Sequence, residues 1–286
     1  MEEKYIEIIF EIENRELGEI LIACLSDATE IEGFEEGDGF VKAYIPATKY
    51  DEALFDQLPP PGNIKYTKSV IENKNWNAIW ESEFEPVITD DFVAIRADFH
   101  ESIKFVEYEI IITPKMSFGT GHHATTSLML ESLRQYNCAG KKIADFGTGT
   151  GVLAILAHKM KAVEILAIDY DDWSIKNALE NIEKNKCESI RLMQTDHFPI
   201  EEKWDMILAN INLHVILANM HNFHQSLNNN GLLIISGILQ EDKNKVESLA
   251  ADLLFLKDSV QQKKNRLSIT YKNAATVYKK HLYVKK

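Results

Sequence analysis

Cysteine is scarce in this sequence. Three residues in 286, Cys24, Cys138 and Cys187, stand far apart with no Cys-x-x-Cys pair. That excludes a disulfide framework and a thiolate zinc site, and it suits a reducing cytoplasm. No apolar run is long enough to cross a bilayer, and the opening Met1-Glu2-Glu3-Lys4 lacks the basic stretch and apolar core of a secretory leader. Internal repeats and low-complexity segments are also missing. Basic residues are nearly absent from the first fifth: residues 1–60 hold 4 Lys and Arg against 16 Asp and Glu, leaving 27 basic and 28 acidic residues beyond. The net charge of -13 is therefore carried almost wholly by the N-terminal segment. An acidic module repels a phosphate backbone and attracts a Lys/Arg-rich protein; its plainer role is a solvated, solubilising face.

What is present describes a two-domain globular chain. A hydrophobic share of 45% supports a sizeable core, and 286 residues exceed one minimal domain. In the first 70 residues, Tyr5 to Ile12 alternates as a strand and Leu17 to Leu25 has helical spacing. Phe34 to Glu36 and Phe40 to Ile45 flank the turn Gly37-Asp38-Gly39. A helix from Tyr50 to Leu58, stopped by Pro59-Pro60-Pro61-Gly62, and a strand from Ile64 to Val70 complete the order β-α-β-β-α-β of a ferredoxin-like unit. Residues 71–85 read as a helical linker with Trp76 and Trp80 on one face.

From residue 86 to 286 the pattern becomes strands separated by longer helices, the signature of a parallel sheet with crossover helices. Expected strands are Glu109 to Ile112, Lys142 to Phe146, Glu164 to Ile168, Ile190 to Gln194, Met206 to Ala209 and Leu232 to Ser236. Expected helices are Thr125 to Tyr136, Val152 to Lys159, Ser174 to Lys186, His214 to Leu227 and Asp242 to Leu254. Residues 255–286 read as further strands, antiparallel and at the sheet edge.

Between strand and helix lies Asp145-Phe146-Gly147-Thr148-Gly149-Thr150-Gly151. Such a turn lets the backbone approach a ligand closely. A dinucleotide fingerprint would need a small residue three positions after Gly149, where Val152 stands, and no Lys-Ser/Thr follows to make a P-loop. Asp169, 22 residues after Gly147, is at the distance expected of a carboxylate that binds ribose hydroxyls. Asp171 and Asp172 are nearby alternatives that could instead cap a helix. Asp196, after the next strand, could accept from an adenine amine or simply fix its loop.

Asn210 follows the fourth strand, where ligand-handling groups of open α/β sheets gather, although a turn Asn is the plainer reading of that residue alone. Upstream, Thr125 or Thr126 can cap a helix whose free N–H groups favour a ligand carboxylate. Paired His122 and His123 invite a metal, but no third ligand stands at a recognised spacing and His221 and His224 fall on another helix, so no metal is expected. A Gly-x-Ser-x-Gly hydrolase elbow is absent.

Together, the segments Phe118 to Ser127, Asp145 to Gly151, Ile168-Asp169, Ala209-Asn210-Ile211 and Ser236-Gly237-Ile238 resemble the PrmA family of bacterial methyltransferases, which modify amino groups on large-subunit ribosomal protein eleven. The resemblance implies an α/β fold: a Rossmann-like class I methyltransferase sheet with a small N-terminal α+β ferredoxin-like domain. It implies S-adenosyl-L-methionine as cofactor, with Thr126, Gly147, Asp169 and Asn210 in contact with it beside Gly149 of the turn. It further implies a cytoplasmic, monomeric enzyme whose partner is a basic ribosomal protein, with no direct nucleic acid and no membrane. The sequence departs from the commoner family pattern at His122, Ala124, Thr148 and Asn212.

On this reading residues 1–70 recognise substrate, 71–85 link, and 86–286 bind cofactor. A neutral amine attacks the sulfonium methyl group, aimed by the Asn210 side-chain oxygen and the Ile211 carbonyl. The rival readings are a methyltransferase of the same fold acting on another protein, nucleic acid or small molecule, a cofactor-binding regulator, and, last, a nicotinamide-dependent oxidoreductase.

Overall fold

The computed structural model describes residues 4–13, 17, 18, 21, 22, 25, 31–37, 39–51, 64–71, 84–114, 121 and 123–274. They belong to two compact units, residues 1–80 and 81–286. Most of the expected helix from Tyr50 to Leu58, its proline stop, the Trp76/Trp80 linker, residues 118–120 and 122 of the histidine loop, and the tail after Ala274 lie outside the described residues.

In the first unit, β1 (Tyr5–Glu11), β2 (Gly33–Gly37), β3 (Phe40–Pro46) and β4 (Tyr66–Ile71) form one sheet of order β2-β3-β1-β4. Neighbours are antiparallel throughout. This is the strand order of a split βαβ unit, in which each crossover connection passes over one intervening strand. The period of two decides the faces. Ile8, Phe10, Val41, Ala43 and Ile45 turn inward against Leu21 and Leu25 of the helical segment. On the opposite face the Tyr44 hydroxyl donates to Glu35 at 2.9 Å and Glu7 at 3.3 Å, while the Lys42 ammonium pairs with Glu35 at 3.2 Å. Burial and these two carboxylates push the Tyr44 phenol well above its ordinary pKa.

The second unit is built on β8 (Lys142–Phe146), β9 (Glu164–Asp169), β10 (Ile190–Gln194), β11 (Trp204–Asn210), β12 (Leu227–Leu239), β13 (Phe255–Lys263) and β14 (Arg266–Asn273). Their order is β10-β9-β8-β11-β12-β14-β13. The five strands from β10 to β12 are parallel, and β14 and β13 continue the sheet antiparallel at its edge. Helices α1 (Ala124–Arg134), α2 (Val152–Lys159), α3 (Asp172–Lys184), α4 (Leu213–Ser226) and α5 (Lys243–Asp252) cover both faces.

Apolar runs such as Met206 to Ala209 follow from that double coverage. Met206 and Leu208 join the core beneath α1 and α2, whereas Ile207 and Ala209 join the core beneath α4 and α5. The chain order runs outward from β8 in one direction to β9 and β10, and in the other to β11 and β12. The β8/β11 boundary is therefore the switch point at which a crevice opens beyond the carboxyl ends. No helix among the described residues is long and apolar enough to cross a membrane.

Two expectations need correction. The strand expected from Glu109 to Ile112 is β7 (Tyr108–Ile112), and it does not join the parallel sheet. It pairs with β6 (Val93–Ala97), which with β5 (Val87–Thr89) makes a separate three-stranded sheet. The buried Arg96 guanidinium meets Glu109 at 2.9 Å across that sheet and holds the Glu109 carboxyl below its ordinary pKa. Strand β12 is also longer than expected, because Leu227 already pairs with Trp204. The polar run Asn228-Asn229-Asn230-Gly231, between the helix expected to end at Leu227 and the strand expected from Leu232, lies within β12.

Candidate active site

The glycine turn begins where β8 stops. Gly147 has φ +75° and lies so close to Ile211 that a Cβ would come 2.1 Å from Ile211 Cγ2. Its N–H and that of Thr148 donate to the Ile168 carbonyl at 2.8 and 2.9 Å, which ties the turn to β9. Asp145, wholly buried at the base of the turn, accepts from the Thr148 hydroxyl at 2.7 Å. Burial pushes the Asp145 carboxyl up to about 7, with Asp169 adding to the rise and the Thr148 hydroxyl and Ala154 N–H opposing it.

Asp169 closes β9 and is 8% exposed. Its Oδ2 accepts from Gly149 N–H at 2.9 Å and its Oδ1 from Asp171 N–H at 3.1 Å. A carboxylate has about four acceptor sites, so two remain for hydroxyl donors. Asp171 serves as a cap: it is the N-cap of α3, accepting from Ser174 N–H at 2.8 Å. Asp172 stands in the first turn of α3. Asp196 is exposed, with Oδ1 at 2.9 Å from His197 Nδ1.

Asn210 ends β11 at 8% exposure. Its Nδ2 donates to Thr126 Oγ1 at 3.4 Å, and its buried Oδ1 has no hydrogen-bond partner among the described residues. An unsatisfied buried acceptor costs roughly 1–3 kcal/mol unless a ligand or water meets it. Thr126 is 1% exposed, and its neighbour Thr125 also has a buried, unpartnered hydroxyl. Neither threonine caps α1 as expected. His123 is the N-cap, with no side-chain bond to the helix's free N–H groups, because α1 starts one residue earlier than the apolar spacing suggests.

The five expected site residues are thus joined in one chain of contacts, Thr126 to Asn210, then through Ile211 to Gly147, and along the turn from Gly149 to Asp169. Two side-chain acceptors, Asp169 and Asn210, thus stand at the carboxyl ends of β9 and β11, on the two strands that flank β8 and its glycine turn. The close backbone at Gly147, the remaining acceptor sites of Asp169 and the unfilled acceptor at Asn210 fit a polar ligand that donates hydrogen bonds, as ribose hydroxyls do.

The family described as ribosomal protein L11 methyltransferase (PrmA) matches residues 16–274. The chain belongs to that family. A ribosomal protein L11 methyltransferase of Porphyromonas gingivalis is 37% identical over 253 residues, covering 84% of this chain and 87% of the relative. That of Chlorobaculum tepidum is 38% identical over 263 residues, covering 86% and 88%. Among solved structures, ribosomal protein L11 methylase from Lactobacillus delbrueckii subsp. bulgaricus aligns with TM-score 0.63 at 28% identity, over 67% of this chain and all of that one.

Two contributors to this family member's site escaped the motif reading. One is the role of Asp145, which heads the glycine motif but has no assigned part beneath the turn in the sequence. The other is a stripe on α3: Asn181 Nδ2 donates to the Thr150 carbonyl at 2.8 Å while its Oδ1 accepts from Thr113 N–H at 2.7 Å, and Asn185 brackets Ile111 in the same manner. The signal was there, since Asn177, Asn181 and Asn185 recur every four residues in an expected helix. A cavity of about 440 Å³ lined by Lys203, His221, His224 and Asn273 lies at the amino ends of β11 and β12 and holds none of the site residues.

Proposed function

We propose that this chain transfers methyl groups from S-adenosylmethionine to lysine, and N-terminal, amino groups of ribosomal protein L11. The observation that carries the reading is Asn210, whose buried Oδ1, at the carboxyl end of β11, lacks a partner among the described residues. Thr126, Gly147, Gly149, Asp169 and Asn210 would hold the cofactor, with the ribose on the open acceptor sites of Asp169. When bound, S-adenosylmethionine supplies a methyl group on a sulfonium centre, open to in-line displacement.

The chain's own part is to exclude water and aim the amine. Asn210 Oδ1, with the Ile211 carbonyl, accepts from the amine N–H groups and turns its lone pair toward the methyl group. Only a neutral amine has that lone pair, and a desolvated pocket lowers a lysine pKa without a strong base. Catalysis is then mostly proximity and orientation. The excess proton leaves with solvent.

Residues 1–70 serve as the acidic substrate-docking domain, residues 71–85 as linker and residues 86–286 as the transfer domain. The enzyme works as a cytoplasmic monomer, with a basic protein as partner rather than nucleic acid or a membrane. What supports this is the concentration of acid in residues 1–60 and the substrate named for its relatives. The test is purified ribosomal protein L11 with radiolabelled S-adenosylmethionine. Label should enter lysine or the N-terminus, and Asn210→Ala should lower the single-turnover rate about 100-fold at saturating cofactor. A variant that binds cofactor weakly but keeps its saturated rate would show that Asn210 does not aim the amine. Calorimetry in which a pyridine dinucleotide binds and S-adenosylmethionine does not would sink the whole reading.

A further inference from the structure

Gly237 interrupts the register between β12 and β14. Ser236 pairs with Ser268 and Ile238 with Leu267, so Gly237 bulges between them, at φ +90°. A Cβ on Gly237 would stand 2.1 Å from the Ile211 carbonyl oxygen, 2.9 Å from its carbon and 3.2 Å from Ile211 N. All three are backbone atoms, so no change of rotamer could relieve the crowding. The Ile211 peptide is seated directly on the Gly237 Cα.

Ile211 is gripped from its other side as well, because Gly147 faces Ile211 Cγ2. The helix does not fix this peptide: the ladder of α4 starts at the Asn212 carbonyl, to which Val215 and Ile216 N–H donate. The bulge itself is anchored by Ser236 Oγ, which donates to the Leu267 carbonyl at 2.9 Å. The residue so clamped follows Asn210 directly, and the Asn210 contact with Thr126, at 3.4 Å, has little reach to spare.

We infer that Gly237 is a positioning residue for amine capture: its bulge sets the Ile211 peptide, and through it the aim of both the Ile211 carbonyl and Asn210. This rests on the methyl-transfer reading of the site. A bulge commonly re-aims a side chain beside an active site; here it re-aims a neighbouring strand end. The cofactor grips at Gly149 and Asp169 lie in the turn after β8 and at the end of β9, away from β12, so re-aiming Asn210 touches only its own share of cofactor binding and the aim of the amine is read apart from the rest.

The test uses the full chain with Gly237→Ala and Ser236→Ala. Calorimetric affinity for S-adenosylmethionine should fall no more than about fivefold, the share Asn210 contributes, while the single-turnover rate on ribosomal protein L11 at saturating cofactor falls about 100-fold for Gly237→Ala and by a smaller factor for Ser236→Ala. The loss should be equal at every pH from roughly 7 to 10, because deprotonating the amine does not correct its aim. In cofactor-free protein the Asn210 side-chain amide resonances should shift in both variants. A Gly237→Ala enzyme with an unchanged rate, a loss that tracks lost cofactor affinity, or a loss that vanishes at high pH would each overturn the inference. If Gly237→Ala does not fold, Ser236→Ala decides, and an unchanged rate and resonance overturn it. A wild-type chain that methylates nothing defeats the functional reading instead, which is a different result.

Discussion

Asp145 shows what a single side chain can contribute beneath a ligand site. Its folded carboxyl is raised to about 7, chiefly by burial, so the native state binds a proton that the unfolded chain releases near its ordinary value. Stability is therefore fully present below about pH 4 for this group and is lost as pH rises through about 7. Three units at about 1.4 kcal/mol each set an upper limit on the order of 4 kcal/mol. Asp145→Asn should flatten that part of the Tm-against-pH curve; an unchanged slope between pH 4 and 7 would exclude the protonated acid. At this scale the sequence was informative where position defines the task. Asp169 and Asn210 directly follow predicted strands, and the structure has them as the last residues of β9 and β11. The burial of Asp145 could not be read, because an acid at a strand end looks the same whether it faces solvent or core.

At the level of elements, strong periodicity carried over and side-chain substitutes for backbone pairing did not. The glycine turn, α2 and β10 fall at the expected residues because each has a sharp boundary: Gly151 precedes α2, and β8 and β10 are bounded by polar residues. Strand β5 has three residues, too few for alternation to register. Strand β7 sits away from the main sheet because Asn181 and Asn185 of α3 satisfy its backbone edge in place of a strand. Asn181→Ala would remove the side-chain acceptor of the Thr113 N–H and the amide that donates to the Thr150 carbonyl at once. Denaturant unfolding should show a loss of about 2 kcal/mol or more, with weaker cofactor binding because Thr150 belongs to the turn. A change within about 0.5 kcal/mol would mean that water replaces the asparagine without cost.

Across the whole molecule, charge and topology divide the labour. Almost all the net negative charge belongs to residues 1–60, whose sheet carries Glu7 and Glu35 on the face opposite its core. If that unit docks a basic protein, moderate salt should raise KM for ribosomal protein L11 several-fold and leave S-adenosylmethionine affinity nearly untouched, since exposed charges are screened over about 8–10 Å. Deleting residues 1–70 should abolish protein methylation and spare cofactor binding; full activity in the truncated chain would refute a docking role. The strand order was foreshadowed by the alternation of strand and helix, but the antiparallel insertion of β14 between β12 and β13 was not, because pairing partners are chosen by the finished sheet. That insertion also sets where the chain leaves it. Running opposite to β12, β14 carries the backbone down to Asn273, whose amide donates to the Leu227 carbonyl at the floor of the sheet. A biosensor tether grafted just past that point would leave the ligand-bearing rim facing the flow.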